Sequence, residues 1–147
     1  MYCQNLILDN AQSFFSRPLK EVDAFYSTRK FFGVPDGAYV YSNSKIDIKL
    51  NKDSSVGRLD HLMKRLENGP KEGYLDFTNN EERLINQPIK QMSTFTNKIL
   101  KSLDYEYIIN KRKQNFNHLL LNLNAFNEIK IKKKDGAVPM VYPFLKR

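Results

Sequence analysis

Residues 6–42 read LILDNAQSFFSRPLKEVDAFYSTRKFFGVPDGAYVYS. Together with the residues before it, this stretch holds three short β-prone runs separated by loops, with almost no helix between them. Residues 2–8, YCQNLIL, are nearly continuous in apolar character, as a buried strand of an α/β sheet would be. Asp9-Asn10 breaks that run, and AQSFF follows as a turn or short helical piece. VDAFY at 22–26 predicts a second strand, and AYVYS at 38–42 a third, after a loop punctuated by Gly33, Pro35, Asp36 and Gly37. Such spacing fits the part of a sheet where strands pair antiparallel through short connections.

Beyond residue 50 the pattern becomes helical. A helix is expected through RLDHLMKRLEN at 58–68, with Ser54 or Ser55 as its cap and Gly69-Pro70 as its stop. A second is expected from Thr78 to Asn86, ending before Pro88. From Ile89 to about Phe126 the apolar spacing is helical almost throughout, with a break at Ser102-Leu103-Asp104 where Asp104 can cap the second segment. EIKIK at 128–132, a KKDGA turn and VPMVYPFL at 138–145 predict a closing hairpin, confined to a sheet edge by Pro139 and Pro143.

The composition sets outer bounds. The chain has 147 residues, 41% of them hydrophobic, with one Cys and two His. A core of ordinary size is possible without staples. Cys3 alone excludes an internal disulfide and, with His61 and His118, makes a zinc cage improbable in chemistry; no metal is expected. Cys3 reads as a small apolar strand residue and the two histidines as structural or surface groups. No apolar run approaches a membrane span, and MYCQNLILDN lacks the flanks of a signal peptide, so a cytoplasmic location is expected. The net charge of +8 is uneven: residues 1–97 carry 13 basic against 12 acidic groups, and residues 98–147 carry 11 against 4.

The chemistry points to residues 6–42. Asp9 ends a strand, where α/β sheets place ligands. Lys30 follows the next strand, just before a Gly-containing turn, with Ser27 and Thr28 beside it. An acid, a lysine and hydroxyls in that order suit a pyridoxal 5'-phosphate site, the lysine forming the Schiff base and the acid pairing with the pyridine nitrogen.

On these residues the chain resembles the sugar-aminotransferase branch of the fold-type I pyridoxal-phosphate enzymes, the DegT/DnrJ/EryC1/StrS group. The matching pieces are a strand ending in Asp9 with Gln12 three residues on, and Ser27-x-x-Lys30 followed by a Gly-containing turn and a strand. The likeness runs on through the long helices after Pro88, the KRKQNF segment and VPMVYPFL, but its sharp motifs lie in 6–42. The resemblance implies Lys30 as the catalytic Schiff-base lysine, Asp9 on the ring nitrogen, Gln12 against the ring and Ser27 as a phosphate ligand. It also implies an amino donor, a small-molecule and possibly nucleotide-sugar acceptor, and a homodimer. The Asp9-to-Lys30 interval is shorter than usual in the family. Members also carry, before this aspartate, half of the sheet, the main phosphate-binding turn and an aromatic that stacks on the ring.

The expected fold class is therefore α/β, a partial fold-type I transferase: a few strands of the large-domain sheet, long connecting helices and the start of a small C-terminal α+β domain. The expected divisions are 1–50 for the cofactor-site strands, 51–127 for a helical region with the interdomain helix, and 128–147 for a truncated hairpin. Two other classes compete. One is a small basic module using Lys111, Arg112, Lys113, Lys130, Lys132, Lys133 and Lys134 on nucleic-acid phosphates, although ordinary solvated surface accounts for that charge more simply. The other is a non-catalytic remnant of an aminotransferase. No membrane partner is expected.

Overall fold

The computed structural model describes residues 6–132 and 135–147. It is a mixed α/β structure, with a three-stranded sheet followed by four helices. Strand β1 is Ile7–Asp9, β2 is Asp23–Ser27 and β3 is Ala38–Tyr41. The order is β1-β2-β3, with β1 parallel to β2 and β3 antiparallel to it. The antiparallel return into β3 passes through Gly37, whose φ of 100° suits a residue without Cβ.

Register divides the sheet into two unlike faces. Ile7, Asp9, Asp23, Phe25, Ser27, Ala38 and Val40 share one face. Leu8, Ala24, Tyr26, Tyr39 and Tyr41 share the other. Phe14 sits edge-on against Tyr26 and tilted against Tyr39, so the second face is covered around Ala24 and Tyr26, which are buried, while Tyr39 at its margin stays partly exposed. The first face is open: Ile7 is 66% and Val40 64% exposed. This corrects the expectation of a buried strand at 2–8. Within the described residues that run pairs only at 7–9, on the outside of the sheet, with Leu6 and Ile7 exposed; residues 2–5 lie outside the described residues.

Four helices follow. Helix α1 is Asp60–Asn68, α2 is Tyr74–Leu84, α3 is Thr94–Ser102 and α4 is Tyr105–Leu123, with a 3-10 turn at Asn124–Phe126. The stop at Gly69 is as expected, its φ of 95° ending α1. The start is not: neither Ser54 nor Ser55 caps α1, because Ser55 is drawn into the interior. Helix α2 begins four residues before Thr78, at the point where the buried Gly73 passes beneath α1. Residues 89–93 are not helical; Gln91 instead forms a parallel bridge with Lys52, and Ser93 caps α3 by accepting from the Thr96 amide at 3.1 Å. The break between α3 and α4 lies where the sequence places it, and Asp104 caps α4 by accepting from the Tyr107 amide at 2.9 Å.

The hydrophobic core is built from Phe31, Phe32, Val34 and Leu100, flanked by Phe14, Phe15, Met92, Tyr105, Ile108 and Met140. It therefore draws on the sheet region, on α3 and α4, and on the C-terminal segment. The expected closing hairpin does not form a ladder among the described residues. Pro139 and Pro143 each remove an amide donor. What remains is a clasp, in which the Glu128 amide donates to the Leu145 carbonyl at 2.9 Å and Asn127 Nδ2 donates to the Pro143 carbonyl at 2.9 Å. Lys133 and Lys134 of the expected turn lie outside the described residues.

Candidate functional site

Parallel pairing brings the carboxyl ends of β1 and β2 to one edge of the sheet, with Asp9 in register with Phe25. Asp9 and Ser27 share the open face. Lys30 lies just past the end of β2, on a single helical turn closed by the Phe31 and Phe32 amides donating to the Thr28 carbonyl at 3.1 and 3.0 Å. Phe31 and Phe32 point into the core and Lys30 is exposed. The apolar neighbours thus fix the turn while the lysine stands clear of it.

The four site residues expected from sequence all lie in this region. Lys30 makes no hydrogen bond or ion pair with another described residue. Asp9 is exposed and spends one carboxylate oxygen on the Ala11 amide, at 2.8 Å, in a local turn. Gln12 is exposed in the same loop. Ser27 lines a groove of about 740 Å³ on the open face, walled by Phe25, Val40, Ile46, Ile48 and Leu50. Arg29 also reaches this groove, but its guanidinium is neutralised by Glu81 of α2.

The turn is held from below by a polar hub that residue-by-residue interpretation missed. Thr28, fully buried, donates to the Asp36 and Gly37 carbonyls at 3.1 and 2.7 Å. Asp36 is 4% exposed, and its side chain collects donors from three places in the chain. Ser55 donates at 2.8 Å, Thr96 at 2.5 Å, Ser93 at 3.4 Å, and Arg58 forms an ion pair at 3.2 Å. Ser55 and Ser93 also bond to each other at 2.6 Å. Arg58 is shared with Asp53 at 2.7 Å, and that pairing lowers the Asp53 carboxyl and raises the Arg58 guanidinium from their ordinary values. Asn80 of α2 donates to the Pro35 carbonyl at 3.0 Å. In sequence the only signal was the Pro35-Asp36-Gly37 turn, and an acid there is ordinarily solvated.

A second brace comes from α4. Arg112 donates to the carbonyl of Phe31 at 3.2 Å and to that of Met140 at 3.2 Å, with its guanidinium carbon 4.8 Å from the Phe31 ring centroid. Burial lowers its pKa, and no carboxylate is paired with it among the described residues. Replacing Arg112 by Met leaves these carbonyls unpartnered and is expected to cost about 1–3 kcal/mol. Lys at 112 should recover only part of this, since an ammonium lacks the planar fork that reaches both segments. Urea unfolding of the three proteins, followed by circular dichroism, checks the order. This placement also takes Arg112 out of the basic surface considered for nucleic-acid contact, while Lys111, Lys130 and Lys132 are exposed.

On α1, His61 is buried and stacks edge-on against Phe77, and desolvation lowers its pKa. Among the described residues there is no cluster of His, Cys, Asp and Glu able to hold a metal ion, and no helix long and apolar enough to cross a membrane. No family model matches the chain, and neither a curated protein nor a solved structure matches it.

Proposed function

We propose that this chain is the lysine-bearing portion of a pyridoxal-phosphate-dependent aminotransferase of the DegT/DnrJ/EryC1/StrS type, with Lys30 as its Schiff-base lysine. The observation that carries the proposal is the strand arrangement. Parallel β1 and β2 set Asp9 and the Lys30 turn at one sheet edge, and β3 returns antiparallel.

The residues present fit the cofactor in part. Lys30 Nζ and the Ser27 hydroxyl have no partner among the described residues, and one Asp9 oxygen is uncommitted. When bound, pyridoxal phosphate supplies the electron sink that transamination requires. Asp9 would hold a proton at the ring nitrogen, Gln12 would lie against the ring, and Ser27 would donate to the phosphate. Lys30 Nζ would be the amine that holds the cofactor and, once displaced by the amino donor, would be free to move a proton at the donor's α-carbon. The described residues at this edge offer the phosphate only one hydroxyl and no free guanidinium, because Arg29 is paired with Glu81. The rest of the phosphate anchor therefore belongs to a further polypeptide segment. The acceptor is proposed to be a small molecule, possibly a nucleotide sugar.

The test is borohydride trapping of the full chain with pyridoxal phosphate, followed by peptide mass spectrometry. One adduct per chain on Lys30 is expected, together with a visible absorption band that is lost in Lys30→Ala. Label spread over many surface lysines, with the band unchanged in Lys30→Ala, overturns the assignment.

A further inference from the structure

After β3 the chain runs through SKIDIKL at 44–50 without joining any sheet. Ile46, Ile48 and Leu50 line the open groove, while Lys45, Asp47 and Lys49 do not, which is the alternation of an extended chain. Residues 45–50 make no backbone hydrogen bond to any described residue. Period-two alternation, β-branched residues and a free backbone describe a strand without its neighbour.

One edge of this run can be placed. Just beyond it, the Gln91 amide donates to the Asn51 carbonyl and the Asp53 amide to the Gln91 carbonyl, each at 2.9 Å. Carried back along an extended chain, that geometry turns the backbone groups of Asp47 and Lys49 toward the 87–91 side. The backbone groups of Ile46, Ile48 and Leu50 then lie along the opposite, open edge.

We propose that a second copy of this chain pairs antiparallel with that open edge, about a two-fold axis at Ile48. Charge complementarity between two copies selects the occupant, and charge together with the apolar match selects the register. With Ile48 opposite its own copy, Ile46 faces Leu50 and Asp47 faces Lys49, giving two ion pairs by symmetry. These pairs fall at non-hydrogen-bonded positions, where side chains on opposed strands come closest. An axis at Asp47 uses the same backbone edge but sets Lys45 against Lys49 and Asp47 against itself, so like charges oppose. An axis at Ile46 keeps two ion pairs, Asp47 against Lys45, but sets Ile48 against Ser44 and loses the apolar match. In the selected register the two grooves meet, so apolar surface left open on one copy becomes continuous across the pair. The pairing does not depend on whether Lys30 carries a cofactor.

Sedimentation velocity on the full chain, over a wide concentration range, tests the proposal. A concentration-dependent dimer is expected. Asp47→Lys should weaken it about tenfold by replacing two attractive pairs with repulsive ones. The double exchange Asp47→Lys with Lys49→Asp should restore it, and an equimolar mixture of the two single variants should form a heterodimer. Ile48→Pro removes the central amide and should leave only monomer. A chain that is monomeric throughout, or a dimer indifferent to both the charge exchange and Ile48→Pro, overturns the proposal. Should Ile48→Pro fail to fold, the charge-exchange series decides alone.

Discussion

Replacing Asp36 by Ala should lower the stability of the chain by about 3 kcal/mol, at the lower end of the range for breaking a buried ion pair. The hub explains both the size and the limit. The Ser55, Ser93 and Thr96 hydroxyls lose their common acceptor in a buried setting, where an unpartnered polar group is costly. Arg58 keeps Asp53, so no guanidinium is left without a counter-ion. Asp36→Asn should fall between the two: its amide oxygen can still accept, but its NH2 group faces other donors. Denaturant unfolding followed by far-ultraviolet circular dichroism measures both. A loss under about 1 kcal/mol for the alanine variant would show that the hydroxyls re-pair among themselves and that Asp36 is not their organiser.

A comparable loss, about 2–4 kcal/mol, is expected for Gly73→Ala, by a different route. Gly73 has an ordinary φ of −88°, so alanine fits its backbone. What it lacks is space. A Cβ there would lie 2.5 Å from the His61 carbonyl oxygen and 2.7 Å from Arg65 Cγ. The first neighbour is the backbone of α1 and cannot swing aside, so α1 and α2 must separate, uncovering His61 and Phe77. Gly57→Ala is the matching control, since φ there is 73° and nothing lies within 4 Å of the added atom. It should cost only the backbone penalty of about 1–2 kcal/mol. Equal losses at the two positions would remove the steric account of Gly73.

Local signals were legible in the sequence. The strands around Ala24 and Val40, the stop at Gly69 and the cap at Asp104 each depend on neighbours within a few residues, and the structure places them as expected. So was the order of Asp9, Ser27 and Lys30 along short strands, because one edge of a parallel pair collects them. Ser55 was misjudged for the complementary reason. A hydroxyl ahead of a helix is a capping signal locally, but Asp36 lies 19 residues away and takes the hydroxyl instead. No periodicity announces that contact. The C-terminal hairpin had a turn and an alternating arm in its favour, yet Pro139 and Pro143 interrupt the returning strand, leaving a clasp through Asn127.

The hub also bears on how the chain reaches its final form. The pairing of β2 with β3 joins residues close in sequence and needs little loop closure. The Asp36 contacts close loops of 19 residues to Ser55, 57 to Ser93 and 60 to Thr96. Each closure removes chain entropy before any bond forms, and the three share one carboxylate, so they reinforce one another. The turn that presents Lys30 closes locally on the Thr28 carbonyl, but the buried support beneath it is complete only where strand, loop and helix meet. That support belongs to the assembled chain and not to the hairpin alone.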